Sequence, residues 1–428
     1  MSTRIASHSK LDAAGRSPDL APFFVVWSGQ AFSLLGSQLV QFALVWWLTK
    51  TSGSATVLAM ASLTALLPPV LIGPFAGALV DRWNRRAVMI AADSLIALAT
   101  GGLALLYAAG VVQIWHIYAL MFIRALGSAF HWPAMQASTS LMVPERHLSR
   151  IAGLNQSLNG LINIVSPLLG AMLLEALPMQ GVLAIDVLSA GLAVAPLFFV
   201  HIPQPAPSLE RGTQFSVLAD VRDGLRFVWQ WTGLALLVAI IGLLHLVAVP
   251  AFALVPILVT DRLNGGAIQL AWLQSALGIG MVVGGLTLSV WGGFKRRVVT
   301  VTLALVSIGA GLTVMGLLPA TALLLAVGAM FGIGFMLPMV SGSIQAVLQA
   351  TVPPDMQGRV FTLVTSGSSA MSPLGMLIAG PFADARGVQL WYLLTGLLMS
   401  VVGVGMFFIP ALSRIEEKHA CPPPTLKG

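Results

Sequence analysis

The sequence predicts an all-α integral membrane protein, with twelve transmembrane helices in two pseudo-symmetric six-helix halves. Three observations carry this prediction. Of the 428 residues, 57% are hydrophobic and 9% charged, at a mean hydropathy of +0.90, whereas a soluble domain has about 25% charged residues. Twelve apolar runs follow one another along the chain, separated by short polar breaks. Lysines and arginines gather in alternate breaks, as they do when a chain weaves through a bilayer. At about 20 residues per crossing plus a short loop, no length is left for a soluble catalytic domain.

Taken in order, the first 20 residues are polar and lack an apolar core followed by a small-residue cleavage site. They read as a cytoplasmic tail, not a cleaved signal peptide. Apolar runs then fall at about 22–48, 55–80, 87–109, 114–140, 151–176 and 181–202. Six more lie at about 233–259, 268–291, 298–318, 321–349, 360–383 and 388–411. This divides the chain into an N-terminal half (1–202), a linker (203–232) and a C-terminal half (233–428). Within the linker Phe215, Leu218, Leu225 and Val228 recur at helical spacing, which fits a helix over 214–231 lying on the inner membrane surface.

With both termini in the cytoplasm, the inner segments hold 18 of the 22 basic residues. The outer loops keep Lys50, Arg262 and Arg386, and Arg124 falls inside a span. The net charge of +7 is therefore a topological signal and a match to anionic lipid, and nucleic acid is not expected as a partner. The halves also echo each other. VPERHLSR at 143–150 and VPPDMQGR at 352–359 share Val, Pro and Arg at an offset of 209. Glu175 and Asp384 keep that offset and read as solvated rim residues, while Arg85 and Arg86 are echoed by Arg296 and Arg297. Duplicated halves are what a carrier needs to rock about a midplane site.

Several chemistries have no residues to support them. The chain contains no GxxxxGK[ST] phosphate loop, no HExxH and no GxSxG, so neither ATP hydrolysis nor hydrolase chemistry is expected. Its seven histidines show no ligand spacing, and the lone Cys421 builds neither a disulfide nor a thiolate cluster. No enzyme activity and no cofactor are expected; the driving force is then an ion gradient, a partner or the substrate's own gradient.

The most specific string is GALVDRWNRR, residues 77–86. It resembles the signature loop of the major facilitator superfamily, matching at Gly77, Leu79, Asp81, Arg82, Arg85 and Arg86. Asn84 stands where the family has a second glycine, and Asn tolerates a left-handed backbone. In physical terms Gly77 permits close helix approach, Asp81 can accept hydrogen bonds from a neighbouring helix N-terminus, and the arginines hold the loop at the headgroups. The resemblance implies that this loop is a gating latch. WGGFKRR in the second half keeps the basic pair but has no Asp.

Spans four to six sharpen the likeness. RALGSAFHWPAMQAS, VPERHLSRIAGLNQSLNGLINIVSPLLGAMLL and AIDVLSA resemble the macrolide-efflux branch of the superfamily's drug:proton antiporters. That resemblance implies export of small amphiphilic compounds against proton entry, by a chain acting as a monomer in the lipid bilayer. Ser166, Pro167 and Gly170 partly match the Gly-Pro-x-x-Gly motif that antiporters of the superfamily carry in the fifth span. Another cargo, such as a siderophore or a lysophospholipid, or a non-transporting sensor, would share most of these features.

Arg124 lies about ten residues into the fourth span, where a guanidinium costs about 3 kcal/mol. It must face a cavity or a carboxylate, and helical rotation puts Gly127, Ser128 and His131 on its side. In the family an arginine at this place is tied to proton coupling. Asp93 and Asp186 are the other ionisable groups deep in apolar runs, and a carboxylic acid in low dielectric can take up a proton that it would release in water. Arg124, Asp93, Asp186 and His131 are thus the proton-coupling candidates, the alternative being structural pairing. Polar stripes outline a pathway: Gln30, Ser33, Ser37 and Gln41 on the first span, and Asn155, Asn159 and Asn163 on the fifth, with Gln345 and Ser369 in the second half. The resemblance implies a cavity lined by spans one, four, five, seven, ten and eleven. Gly73-x-x-x-Gly77 and Gly280-x-x-x-Gly284 read as packing faces.

Overall fold

The computed structural model describes residues 20–204 and 225–413, so the first part of the expected linker helix (214–224) lies outside the described residues. Residues 225–230 are helical. The first half comprises α1 (Ala21–Ser52), α2 (Ala55–Val80), α3 (Arg85–Ala108), α4 (Ile114–Met142), α5 (Glu145–Ala176) and α6 (Met179–Phe199). The second comprises α7 (Thr232–Ala253), α8 (Val255–Asp261), α9 (Ala267–Trp291), α10 (Arg297–Leu317), α11 (Leu323–Thr351), α12 (Pro354–Arg386), α13 (Val388–Phe408) and the short α14 (Pro410–Ser413). The seventh crossing is α7 and α8 together: Pro250 lies within α7 and the chain steps at Leu254 before α8, since proline leaves a backbone carbonyl without its helical donor. Spans eight to twelve are α9 to α13. The chain is a multi-pass integral membrane protein.

Ten of the helices are long and apolar enough, by length and composition, to cross a bilayer. The two other long helices, α4 and α12, are the polar ones: α4 carries Arg124 and His131, and α12 carries Thr362, Ser366, Ser369 and Ser372. Local chemistry sets the ends. Ser54 caps α2 by accepting from Val57 N–H at 3.3 Å, and Gly53 closes α1 at φ 59°, a conformation that suits glycine. Asn84 departs from expectation: its φ is −67°, not left-handed, and its Oδ1 caps α3 through Ala87 N–H at 3.1 Å, a standard use of Asn at a helix start.

Within each half, α1 packs on α5 and α6, α2 on α4, and α3 on α4 and α6, while α9 packs on α11 and α10 on α13. The duplicated basic pair has duplicated geometry. Arg85 Nη1 donates to Ala137 O on α4, and Arg297 Nη1 donates to Ala346 O on α11, both at 2.9 Å. Gly280 and Gly284 lie against the backbone of α11 around Phe331 and Phe335, leaving no space for a side chain, as a packing face requires. Gly73 and Gly77 do the opposite: a Cβ at either would meet nothing within 4 Å, so the expected close approach at Gly77 is absent.

The halves meet along two seams, α2 with α12 and α5 with α9. Both seams are tight near the face where α2 begins and α12 ends. There Gly380 packs on Thr56 and Ala59, and farther in Gly278 packs on Asn163 and Ile164. Toward the face that carries Arg82, Arg85 and Arg297, called here the basic face, Gly77 of α2, Gly153 of α5, Gly285 of α9 and Gly367 of α12 have no neighbour in reach. Among the glycines of the two seams, close contacts lie toward the first face and at mid-span, where Gly160 also meets Val282, and open space lies toward the basic face.

Candidate functional site

Arg124 of α4 is buried, with 9% of its surface exposed, and its partner is a carboxylate as the membrane requires. Its Nη1 pairs directly with Oδ2 of Asp186 on α6, and its Nη2 donates to Ser37 O on α1 at 2.9 Å. Asp186 also accepts from Ser37 Oγ at 3.0 Å and Thr100 Oγ1 at 3.1 Å. Both carboxylate oxygens are therefore engaged, and four helices of the first half are tied at one point. Buried ions need this degree of satisfaction, since their desolvation is otherwise uncompensated.

Asp93 of α3 is equally buried but less completely held. Its Oδ2 accepts from Gln30 Nε2 at 3.0 Å. Its Oδ1 lies 3.4 Å from His131 Nε2, in ion-pair range but without hydrogen-bond alignment, and His131 Nε2 has no hydrogen-bond partner. Arg124 and His131 are seven residues apart on α4, two helical turns, so one face of that helix presents a guanidinium to one carboxylate and an imidazole to the other.

The first-span stripe divides. Gln30 and Ser37 bond the two buried acids and Ser33 is buried among them, so these three belong to the interior of the first half and not to the lining of the cavity between the halves. Gln41 does line one. At 100° per residue Ser33, Ser37 and Gln30 share one arc of α1, while Gln41, Val45, Gln38 and Phe42 sweep the adjoining arc. That second arc faces a cavity of about 330 Å³ between the halves. Its polar lining is Gln38, Gln41, Asn163, Ser166 and Gln274; its apolar walls include Phe42, Phe252, Leu277, Met281 and Met330. The lining comes from spans one, five, seven, eight and ten, so the eighth takes part and the fourth and eleventh do not. The reason is the α5–α9 seam, where Ser275 Oγ donates to Ile164 O at 2.6 Å and brings α9 to the centre.

Of the other pathway candidates, Asn155 accepts from Trp27 Nε1 at 2.7 Å. Asn159 is half-buried, and Gln345 and Ser369 are exposed; none of the four lines the central cavity. Gln38 and Gln274 were not anticipated. Their signal was available, since amides are conspicuous in spans otherwise built of Val, Leu and Met.

At the basic face the signature loop stands free of the other half. Asp81 has 60% of its side chain exposed and pairs at 3.4 Å with Arg85 of its own loop, and Arg86 Nη2 donates to Phe198 O at 2.6 Å. Arg82 is exposed. Among the described residues no helix N-terminus of the second half bonds Asp81. At the opposite face Asp384 of α12 binds the start of α2: it accepts from Ala55 N–H at 2.7 Å, Thr56 N–H at 3.0 Å and Ser54 Oγ at 2.8 Å. Expected as a solvated rim residue, Asp384 is exposed yet bridges the halves. Glu175, its echo, is exposed and has no hydrogen-bond partner among the described residues; the start of α9 is capped by Gln269 Oε1, which accepts from Gly266 N–H.

Comparison with known proteins agrees with this architecture. The model of the "Major Facilitator Superfamily" matches residues 26–376. The chain is 34% identical over 396 residues to macrolide efflux protein A of Streptococcus pyogenes, covering 92% of this chain and 98% of that protein. It is 29% identical over 393 residues to the multidrug efflux pump Tap of Mycolicibacterium fortuitum, covering 89% and 94%. In fold it is similar to a crystallised mutant of the nucleoside transporter NupG, at a TM-score of 0.72 and 13% identity over 91% of this chain and 100% of that one. It is also similar to the human organic anion transporter MFSD10, at 0.57 and 17% over 91% and 99%. A domain match spanning most of the chain, and an efflux relative above 30% identity over nearly its full length, establish that this chain belongs to the major facilitator superfamily.

Proposed function

We propose that the chain exports small amphiphilic compounds, macrolide-like molecules among them, from the cytoplasm by proton antiport. The observation that carries this reading is the separation of two sites. Buried acids, with Arg124 and His131 beside them, lie inside the first half, while an amide-lined apolar cavity lies between the halves. An antiporter needs a place to hold a proton and a place to hold cargo, coupled but distinct. The macrolide and multidrug efflux relatives supply the cargo class and the outward direction, and no resident cofactor is required.

The positive-inside bias supports a cytoplasmic position for the basic face and for both termini. The closed seam held by Asp384 then faces outward, and the conformation is the one that loads cargo from inside. Arg124 and Asp186 form the filled network that fixes α1, α3, α4 and α6. Asp93 with His131 forms the looser pair, and it is there that an incoming proton is held, on the carboxylate or the imidazole. Because α1 carries Ser37 and Gln30 on one arc and Gln38 and Gln41 on the next, a change in the proton site moves the cavity wall. The two halves act as the rocking bodies, and Asp81 with Arg82, Arg85 and Arg86 closes the inner face once cargo has left.

The test is transport in proteoliposomes with an imposed pH gradient. With the membrane potential clamped at zero, wild-type protein should accumulate a macrolide in inside-out vesicles only when the lumen is acidic. Arg124→Ala should abolish that accumulation while the protein remains in the membrane; full gradient-driven transport by this variant would overturn the coupling assignment.

A further inference from the structure

Resting on the export reading, we infer that the central cavity takes its cargo in an uncharged form: an oxygen-rich lipophile, and not a cation. Gln38, Gln41, Asn163 and Gln274 converge on the cavity. Among the hydrogen bonds of the described residues none involves the side chain of any of the four, so their donors and acceptors are free for a ligand. A primary amide offers two N–H donors and a carbonyl. Four of them match hydroxyl, ether, ester and ketone oxygens, while the phenylalanines and methionines around them match a hydrocarbon body and adapt to its shape.

What the lining does not contain is equally informative. No Asp, Glu, Lys, Arg or His is among its residues. The two buried acids of the first half are turned away from it and are already occupied: Asp186 by Arg124, Ser37 and Thr100, and Asp93 by Gln30 and His131. In the second half Asp261 stands at the end of α8 and Asp384 at the outer end of α12, and His245 on α7 is bonded through Nδ1 to Ile241 O at 2.9 Å. A fixed cation entering the cavity would lose its hydration and find no counter-ion, a severe penalty in low dielectric. A weakly basic amphiphile instead leaves its proton behind and enters neutral.

A consequence for coupling follows from charge balance. When an uncharged molecule leaves and one proton enters, one net positive charge moves inward per cycle. Membrane potential, negative inside, therefore drives export even without a pH difference.

The experiment compares a tertiary-amine macrolide with its N-methyl quaternary derivative in proteoliposomes of the wild-type chain and of Gln274→Glu. Wild-type protein should transport the tertiary amine and move the quaternary compound at least 100-fold more slowly. Gln274→Glu, which places a carboxylate in the cavity, should raise quaternary transport at least tenfold and thereby narrow the ratio. Equal transport of both compounds by wild type would overturn the inference and leave the export reading standing. Absence of flux for either compound under any gradient would overturn the export reading itself, and the inference with it.

Discussion

Asp384 of the second half accepts the backbone N–H of Ala55 in the first half at 2.7 Å, so a carboxylate from one half caps the opening helix turn of the other. With Thr56 N–H and Ser54 Oγ added, it satisfies donors that every helix start leaves open and meets the positive end of the α2 dipole. Gly380, one turn earlier on α12, lets the backbones touch beside it. This clasp joins the halves at the face opposite the basic one.

Asp384→Asn keeps the shape of the clasp and removes its charge. Hydrogen bonds to a charged acceptor contribute about 1.5–3 kcal/mol against about 1 for neutral ones, so the state closed at the outer face should lose about 1–2 kcal/mol, roughly a 5- to 30-fold population shift. Spin labels at Lys50→Cys and Arg386→Cys, in a Cys421→Ser background, should report a larger outer separation by double electron–electron resonance. An unchanged distance distribution would remove the clasp from the gating cycle.

Arg124→Ala leaves Asp186 buried without its cation, a change that typically destabilises by about 3–5 kcal/mol. Adding Asp186→Asn should restore much of the lost stability, because the uncompensated charge is gone, without restoring gradient-driven transport. Thermal unfolding in detergent measures the first and proteoliposome flux the second. Equal loss in single and double variants would show that the pair is not coupled.

His131→Gln and Asp93→Asn should each separate coupling from cargo movement. Accumulation driven by a pH gradient should fall at least tenfold, whereas exchange of labelled for unlabelled cargo at equal pH should persist. Loss of exchange along with accumulation would place these residues in cargo handling.

Gly380→Val and Gly77→Ala should differ sharply in stability. A Cβ at Gly380 would lie 2.8 Å from both Thr56 Cα and Ala59 Cβ, too close without a shift of backbone, so about 1–3 kcal/mol of overpacking is expected. Gly77 has nothing within 4 Å, and alanine there should leave the melting temperature unchanged or raised, since alanine favours helix over glycine. Slower transport by Gly77→Ala at undiminished stability would indicate that α2 closes on a neighbour elsewhere in the cycle.

Twelve spans, their order, the sidedness of the basic residues and the need of Arg124 for a carboxylate were all determined by the sequence, because they follow from one-dimensional constraints: bilayer thickness and the energy of a charge in hydrocarbon. Tertiary structure alone decided which carboxylate, since Asp93 and Asp186 are both buried acids and only the packing of α3 against α4 and α6 sends Arg124 to one and His131 to the other. The stripe on α1 likewise had its arc but not its direction. A helix enclosed on two sides can turn Ser37 into its own half and Gln41 toward the other, and periodicity does not tell the two apart. Gln274 joined the cavity because its neighbour Ser275 bonds Ile164, 111 positions away, and Asp384 joined the clasp through Ala55, 329 positions away; an amide or a carboxylate is visible in the chain, but its partner is a property of how the halves meet.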